Sequence, residues 1–208
     1  MRIGIDIRCL GEGKMSGVEQ YAISMLTTLF EQDSINEYIL FYNSYSQNKK
    51  NFDWAERFAN VSVVVFRFPN KLFNLSLWFL GRPRIDKLLG GVDLFFAPNI
   101  SFFGLSKDCK KLLTVHDLSF ERFPEYFSFK RKLWHFLINL RRLCHRFDHI
   151  TTVSQSSRAD LVSLYALGDE KISVLLPQLD LDSMQKRLSP EEIIKIKNKY
   201  GIGSGYLL

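Results

Sequence analysis

The chain has 208 residues, of which 46% are hydrophobic and 24% charged. This composition is typical of a folded globular protein and excludes a disordered chain. Lysine and arginine (28) outnumber aspartate and glutamate (22), and the net charge of +6 favours anionic partners such as nucleotide phosphates, anionic lipids or nucleic acid. Three widely spaced cysteines indicate neither a disulfide framework nor a zinc site, so we expect a reducing, cytoplasmic setting. We expect no secretory signal and no membrane span, because the strongest apolar run, residues 72–80, is far shorter than the roughly 20 residues required.

Short runs rich in β-branched and aromatic residues alternate along the chain with helical patterns, the order typical of βαβ units around a parallel sheet. The predicted strands are residues 2–7, 38–42, 61–66, 94–97, 111–115, 149–153 and 172–175. The predicted helices are residues 18–31, 72–89, 129–146, 156–165 and 190–199, and residues 43–51 are predicted to form a loop. The fold class that follows is α/β, with a Rossmann-like, doubly wound parallel sheet.

The first predicted strand runs into a glycine-containing loop, residues 11–17, and then into a helix. The loop is neither a dinucleotide fingerprint nor a Walker loop, because its glycines stand at 11, 13 and 17 and no Ser or Thr directly follows Lys14. Ser16 and Gly17 would still leave backbone N–H groups at the helix N-terminus, where an anion can bind without a Cβ in the way. A plain tight turn accounts for the same residues.

The predicted helix 129–146 is amphipathic and basic. Its apolar stripe consists of Leu133, Phe136, Leu137, Leu140, Leu143 and Cys144, and its positive charge comes from Lys130, Arg131, Lys132, Arg141, Arg142 and Arg146. Such a helix either covers the sheet and leaves a solvated basic side, or contacts an anionic membrane surface. The pattern by itself is compatible with both.

His116 and Asp117 directly follow the predicted strand 111–115. In open α/β sheets, ligands bind at the carboxyl ends of the strands, so both side chains are candidate ligand contacts. Asp117 could hydrogen-bond a ring nitrogen or a ligand hydroxyl. Residues 118–127, which include Phe120, are predicted to form a loop bordering this site. A purely structural histidine is the alternative interpretation of His116.

A run of hydroxyl side chains ends the predicted strand 149–153 and begins the next helix. Ser154 and Ser156 are suited to an N-cap, to a ligand contact, or to both. His145 and His149 are four residues apart, but a predicted helix-to-strand change between them separates their side chains, so we expect no metal site.

The C-terminal part of the chain has a different character. A polar connector follows Pro177, the sequence Ser189-Pro190-Glu191-Glu192 predicts a helix start, and a Gly/Ser segment leads to an apolar end at residues 206–208. This arrangement is typical of a boundary between domains. We therefore expect an N-terminal domain over residues 1–177, a connector with a helix over residues 178–205, and the start of a missing C-terminal domain at residues 206–208.

Four segments in this order resemble the N-terminal half of a GT-B fold glycosyltransferase of the large retaining family called family 4. They are residues 1–8 with 16–21, residues 92–99, residues 114–118 and residues 152–154 with Ser156. The resemblance covers nearly the whole chain. One departure is Pro177-Gln178-Leu179-Asp180, where the family usually has Pro-Asn-Gly, so a different backbone turn is expected there.

The resemblance implies an enzyme that transfers a hexosyl group, mannosyl being one candidate, from a nucleotide-sugar to a saccharide or lipid-linked acceptor. Transfer would retain the anomeric configuration and need no cofactor or obligatory metal. The resemblance places His116 at the donor sugar and Gly17 at the donor diphosphate, with Asp117 and Arg8 in supporting or acceptor-side positions. The candidate catalytic residues are His116 and Asp117, and the candidate donor- or acceptor-binding residues are Arg8, Ser16, Gly17, Phe120, Ser154 and Ser156.

In this family the second domain supplies the paired glutamates and the basic residues that hold the nucleotide, so the 208-residue chain alone is expected to be inactive. The expected location is the cytoplasm, with a possible peripheral contact at the anionic inner face of the cytoplasmic membrane. The alternative function is a non-catalytic binding or membrane-docking module with a Rossmann-like fold. Nucleic acid is not an expected partner, because the basic residues are scattered and form no recognisable motif.

Overall fold

A computed structural model describes residues 1–11, 16–45, 52–177 and 189–203. The chain divides into two compact units, Met1–Pro177 and Gln178–Leu208. Residues 178–188 and 204–205 of the predicted connector 178–205, and the predicted domain start at 206–208, lie outside the described residues. The proposed domain organisation therefore stays a prediction.

The first unit is built on a seven-stranded parallel sheet. Its strands are β1 Arg2–Asp6, β2 Glu37–Asn43, β3 Val61–Phe66, β4 Leu94–Ala97, β5 Lys110–Val115, β6 His149–Thr152 and β7 Ile172–Val174. Their order across the sheet is β3-β2-β1-β4-β5-β6-β7. The chain therefore builds outward from β1 in one direction, returns to the centre at β4, and builds outward in the other direction, which is the doubly wound topology expected from the sequence.

Successive side chains of a strand point to opposite faces of the sheet, and here both faces are buried. Phe41 and Phe95 belong to the core cluster on one face, and their neighbours Leu40 and Phe96 belong to the cluster on the other. Burial on both faces explains why the strands have near-continuous apolar runs rather than alternating ones.

The helices of the first unit are α1 Gly17–Gln32, α2 Asp53–Glu56, α3 Asn70–Phe79, α4 Ile85–Leu88, α5 Ser119–Arg122, α6 Phe129–Ile138, α7 Leu140–Arg146 and α8 Gln155–Tyr165. In the second unit, α9 spans Pro190–Tyr200. Its start is the predicted one: Ser189 is the N-cap and forms a capping box with Glu192. Across the described ranges, no helix combines the length and apolar character needed to cross a bilayer.

The single helix predicted over residues 72–89 is wrong. Helix α3 ends at Phe79, and α4 begins only at Ile85. Between them, Gly81 has a φ of 60°, outside the right-handed helical region, and Pro83 follows two residues later, so the helical path does not continue through this segment. The apolar composition of the segment concealed this interruption.

The single helix predicted over residues 129–146 is also wrong, because Asn139 divides it into α6 and α7. Asn139 has a φ of 49°, a left-handed conformation that asparagine tolerates better than most residues. Its N–H donates to the carbonyl of His135 and ends α6, while its side-chain oxygen accepts from the N–H of Arg142 and begins α7. One asparagine therefore caps both helices.

The break at Asn139 gives the two halves different surroundings. Leu140, Leu143 and Cys144 on α7 are buried, in agreement with the predicted apolar stripe. Leu133 and Phe136 on α6 are 45% and 78% exposed, so the stripe does not continue as a core-packed face. The interpretation of the whole segment as a cover for the sheet is thus correct only for α7.

The loop predicted over residues 118–127 is wrong in part. This segment contains the short helix α5 and a 3-10 turn at Pro124–Tyr126. A 3-10 turn at Arg8–Gly11 follows β1 and was likewise not predicted. These elements are too short for a hydrophobic period to reveal them.

Candidate functional site at the carboxyl edge of the sheet

Two adjoining cavities open at the carboxyl edge of the sheet, where β1, β4 and β5 end. The smaller, which we call the His116 cavity, has a volume of about 150 Å³ and is lined by residues that include Val18, His116, Asp117, Phe120 and His135. The larger, which we call the amide cavity, has a volume of about 280 Å³ and contains the predicted residue Arg8. Asn99 and Ile100 line both cavities. They follow β4 next to β1, at the point where the strand order reverses and open α/β sheets bind ligands.

His116 lies where the sequence predicts it, directly after β5, and its ring is held on two sides. Its Nε2 atom lies 3.0 Å from the backbone oxygen of Pro98. The edge of the Tyr21 ring packs against it, with a centroid separation of 5.0 Å and an interplanar angle of 84°. A carbonyl oxygen can only accept a hydrogen bond, so Nε2 carries the hydrogen.

Burial lowers the pKa of His116, and the Pro98 carbonyl and the Asp117 carboxylate counteract this only in part. The imidazole is therefore neutral at physiological pH. In a neutral ring with a protonated Nε2, Nδ1 is a hydrogen-bond acceptor. The arrangement suits contact with a hydroxyl group better than contact with an anion.

Asp117 is exposed, and its carboxylate is engaged in a local turn. Its Oδ1 atom accepts hydrogen bonds from the backbone N–H of Ser119, at 2.8 Å, and from the Ser119 hydroxyl. Within the described part of the chain, Oδ2 receives no hydrogen bond. Asp117 thus orients the first turn of α5 and keeps one oxygen at the His116 cavity for a ligand.

The predicted serines at the start of α8 have different positions. Ser154 is the N-cap of α8, and its Oγ accepts from the N–H of Ser157 at 3.1 Å. The Ser157 hydroxyl, which was not predicted, donates to the backbone oxygen of His116 at 2.9 Å. Ser156 is exposed and lines neither cavity. The structure therefore brings Ser154 close to the site through Ser157 and leaves Ser156 outside it.

Arg8 is part of the amide cavity, not of the His116 cavity, and its charge is already paired. Its Nη2 lies 2.7 Å from Asp6 Oδ2, and its Nε lies 2.9 Å from Asp6 Oδ1. Both side chains are largely buried, with 12% and 5% of their surface exposed. Arg8 Nη2 also donates to the backbone oxygen of Phe102 at 3.0 Å, and the guanidinium lies among three aromatic rings.

Ser16 and Gly17 stand at the start of α1, as predicted. Ser16 is the N-cap, and Glu19 completes a capping box with it. The described contacts leave the backbone N–H groups of Gly17 and Val18 without a hydrogen-bond partner, and a Cβ placed on Gly17 would meet no atom within 4 Å. Val18 lines the His116 cavity, so this helix start faces that site. Residues 12–15 of the predicted loop lie outside the described residues.

Phe120 and His135 form one wall of the His116 cavity. Their rings are stacked, with centroids 3.8 Å apart and planes at 8°. Burial lowers the pKa of His135, while Asp117 and Glu121 act in the opposite direction. Among the described atoms, His135 Nδ1 is buried without a hydrogen-bond partner. Phe120 was predicted at this site, but His135 was not, because it lies 19 positions away from His116 in the midst of a basic helical pattern.

The part of the chain that the structure describes contains no group of side chains suited to bind a metal ion. No three His, Cys, Asp or Glu side chains come together there in a group that could hold an ion. His145 and His149 bond separately, to the Tyr165 carbonyl and to the Ser173 hydroxyl. The expected metal independence itself stays a prediction.

The doubly wound parallel sheet, with its candidate site at the strand-order reversal, defines a Rossmann-like α/β domain of the kind that forms each half of a GT-B fold. Residues 15–183 match the model of the family described as Glycosyltransferase Family 4, and the chain therefore belongs to this family. No curated protein matches the chain.

The solved structures that align with this chain have low sequence identity to it. A glycosyltransferase from Rickettsia africae ESF-5 aligns with 98% of this chain and 50% of its own, at 15% identity and a TM-score of 0.51. The wall teichoic acid polymerase TagF (H548A) aligns with 98% of this chain and 44% of its own, at 12% identity and a TM-score of 0.46. The chain thus spans about half the length of these two proteins.

Proposed function

We propose that the chain is the acceptor-side half of a retaining glycosyltransferase. The whole protein would transfer a hexosyl group, with mannosyl as one candidate, from a nucleotide-sugar to a saccharide or lipid-linked acceptor. Such a reaction would serve the assembly of a polysaccharide, lipopolysaccharide or glycolipid. The family membership and the site at the strand-order reversal support this proposal.

The observation that carries the proposal is the neutral imidazole of His116 at the end of β5. Its Nε2–H bonds the Pro98 carbonyl, so Nδ1 remains available to accept a hydrogen bond from a donor-sugar hydroxyl. The start of α1 faces the same cavity, and there the N–H groups of Gly17 and Val18, which bond no described residue, suit the donor diphosphate. Sugar and diphosphate would thus be held by adjacent elements, and none of these contacts requires a metal.

A lipid-linked acceptor is supported by the exposed surface of α6. Phe129, Leu133 and Phe136 are spaced four and three residues apart and share one side of the helix, which we call the α6 apolar face; they are 81%, 45% and 78% exposed. Lys130 and Lys132 flank this face and are exposed. Apolar side chains between lysines are typical of helices that lie in an anionic membrane interface. The site would then lie close to the lipid carrying the acceptor, because Trp134 and His135 of the same helix line the two cavities.

The decisive test is sugar transfer by the whole protein, meaning this chain with the coding region that follows Leu208. We expect turnover of a UDP- or GDP-hexose with a retained anomeric configuration, undiminished by EDTA, and no turnover by the 208-residue chain alone. His116→Ala should lower turnover at least ten-fold, about 1.4 kcal/mol, if its sugar contact strengthens in the transition state.

The matched control is His145→Ala, because the side chain of His145 bonds the Tyr165 carbonyl and lines neither cavity. Equal turnover of the His116→Ala variant and the native protein would show that the assigned role is wrong. An inverted product would contradict retention, and loss of activity in EDTA would contradict metal independence.

The alternative, a non-catalytic membrane-docking module, is favoured by the same α6 apolar face. It predicts vesicle binding without any nucleotide-sugar turnover by the whole protein. A downstream region that lacks a second α/β domain with paired glutamates would favour this alternative over the transferase.

A further inference from the structure

The amide cavity is lined mainly by neutral polar side chains. Asparagines reach it from three separate places: Asn43 from the end of β2, Asn70 and Asn74 from α3, and Asn99 from the segment after β4. Their convergence is a tertiary effect, since 56 positions separate the first from the last. No pattern in the sequence predicts a role for any of these asparagines.

The asparagines differ in what they leave available for a ligand. Asn43 is fully used: its Nδ2 donates to the Phe68 carbonyl and to Asn70 Oδ1, and its Oδ1 accepts from the Phe68 N–H. Asn70 is thereby oriented, and its Nδ2 bonds no described residue. Asn99 Oδ1 accepts from the N–H of Ile100 at 2.8 Å, and its Nδ2 likewise has no partner in the described part of the chain. Asn74 makes no hydrogen bond to any described residue, so it offers both a donor and an acceptor.

The charges in the cavity cancel. Among the described residues that line it, Asp6 and Arg8 alone are charged, and they form the buried ion pair with a 2.7 Å contact. Among the described lining residues, a phosphate or carboxylate would therefore find no unpaired cation to bind, and it would lose its hydration. Moving an uncharged ligand with many hydroxyl groups from water into the cavity would cost much less free energy, because the amides can replace its hydrogen bonds to water.

An indole ring completes the lining. Trp134 of α6 borders the cavity and is 38% exposed, so its ring is accessible at the rim. A flat aromatic surface next to hydrogen-bonding groups suits a ligand that has one apolar C–H face and a polar circumference. A pyranose ring has this combination.

We infer that the amide cavity binds an uncharged pyranose ring, and that this ring is the accepting sugar of the proposed transfer. Asn70, Asn74 and Asn99 hydrogen-bond its hydroxyls, and Trp134 packs against its C–H face. Because Asn99 and Ile100 also line the His116 cavity, a ring in the amide cavity lies beside the expected donor sugar. The assignment of the ring as acceptor rests on the proposed function, whereas the selectivity for an uncharged ring rests on the cavity alone.

The test is a nuclear magnetic resonance titration of the 208-residue chain, without nucleotide, with methyl α-glucoside, methyl α-mannoside and methyl α-galactoside. Glucuronic acid and glucose 6-phosphate are the charged counterparts. We expect at least one neutral glycoside to shift the Trp134 indole and Asn74 amide signals, and to bind about ten-fold more tightly than either anion, ~1.4 kcal/mol. Equal or tighter binding of the anions, or no shift with any neutral glycoside, would overturn the inference.

Substitutions of Asn74 test whether this residue contributes to glycoside binding. Asn74→Leu removes an amide that bonds no described residue and should weaken neutral-glycoside binding about five- to ten-fold. Asn74→Lys adds a cation to the lining and should shift the preference towards glucose 6-phosphate. Asn198→Leu, an exposed asparagine of α9 outside the lining, is the control and should bind as the native chain does. Unchanged affinity and selectivity in both Asn74 variants would show that the ring binds elsewhere.

The two proposals fail in different ways. Neutral-glycoside binding that depends on Asn74, together with no transfer by the whole protein, would leave the cavity assignment intact and remove the transferase. Transfer that depends on His116 but not on Asn74 would leave the transferase intact and remove the cavity assignment.

Discussion

The Ser157 hydroxyl donates a hydrogen bond to the backbone oxygen of His116, 2.9 Å away, and this bond joins the first turn of α8 to the end of β5. The Ser154 hydroxyl donates in turn to Ser157 Oγ, at 3.0 Å. The His116 backbone is therefore held by α8, while its ring is held by the Pro98 carbonyl that follows β4. The position of this imidazole depends on three elements that are distant in sequence.

Removing the Ser157 hydroxyl should reduce stability. Ser157→Ala leaves the His116 carbonyl without its partner, and the free energy of unfolding should fall by about 1–3 kcal/mol. Urea unfolding of the chain measures this change. Ser156→Ala is the control, since Ser156 is exposed and should change stability by less than about 0.5 kcal/mol. Equal effects of the two substitutions would contradict the role assigned to Ser157.

Breaking the ion pair at the end of β1 should have a larger effect. Asp6→Asn leaves the largely buried Arg8 guanidinium without its counter-charge, so the free energy of unfolding should fall by about 3–5 kcal/mol. The exposed pair Arg57–Glu31 is the comparison, and Glu31→Gln should cost less than about 1 kcal/mol. Chemical denaturation of both variants gives the two values, and a cost for Asp6→Asn no larger than that for Glu31→Gln would show that the buried pair is not required.

The buried histidines should make the fold less stable in mild acid. Burial lowers the pKa of His116 and of His135 in the folded chain, so the unfolded chain binds more protons as the pH falls below their ordinary value of about 6.5. Each histidine should then lower stability by up to about 1.4 kcal/mol per pH unit, until its folded pKa is passed. Asp117 opposes both shifts and Glu121 opposes that of His135, without reversing them, and Arg131 adds to the shift of His135.

Two measurements check this pH dependence. The ring proton signals of His116 and His135 should titrate below the value of an exposed histidine, and His116→Gln should reduce the loss of unfolding free energy between neutral and mildly acidic pH. A His116 pKa at or above 6.5 would contradict the neutral-imidazole assignment.

The α6 apolar face should insert into anionic bilayers. Full burial of one phenylalanine contributes about 1.5–3 kcal/mol, so the double variant Phe129→Ser, Phe136→Ser should lower partitioning into phosphatidylglycerol vesicles at least ten-fold. Vesicle sedimentation measures the bound fraction. Ile35→Ser is the control, because Ile35 is 91% exposed but lies in the connection between α1 and β2. An equal loss for the control, or no binding by the native chain, would argue against the docking face.

The lysines beside this face should make the binding depend on salt. Lys130 and Lys132 should each contribute about 1 kcal/mol near an anionic surface, a contribution that weakens as the Debye length shortens. Replacing both with glutamine should therefore flatten the salt dependence of vesicle binding. Binding of the native chain that is the same at low and high salt would exclude this electrostatic part.

Only those site residues that directly follow a recognisable strand could be predicted from the sequence. His116 and Asp117 follow a recognisable buried strand, and the carboxyl ends of parallel strands meet at one edge, so their position at a cavity was predictable. His135 and Ser157 could not be found in this way, because their contacts with the His116 region depend on how α6 and α8 pack. No pattern of spacing records such contacts.

The predictions of two long helices, over residues 72–89 and 129–146, are wrong for a similar reason. Hydrophobic periodicity predicts a helix wherever apolar residues recur, and it is insensitive to one residue with a left-handed backbone. Gly81 and Asn139 have positive φ angles and interrupt the two predicted helices, and only the neighbouring hydrogen bonds reveal that Asn139 caps helices in both directions.

The α/β class, all seven strands to within one or two residues at each end, the placement of His116 at a strand end and the resemblance to family 4 could all be predicted from the sequence. These features follow from local patterns, because strand burial and cap residues are visible in consecutive positions. Three other features emerge only from the folded molecule: Asp6 neutralises Arg8, α6 presents an apolar face to solvent, and asparagines from distant segments line one cavity. Each of these depends on which side chains meet across the sheet edge, and that is set by packing rather than by order along the chain.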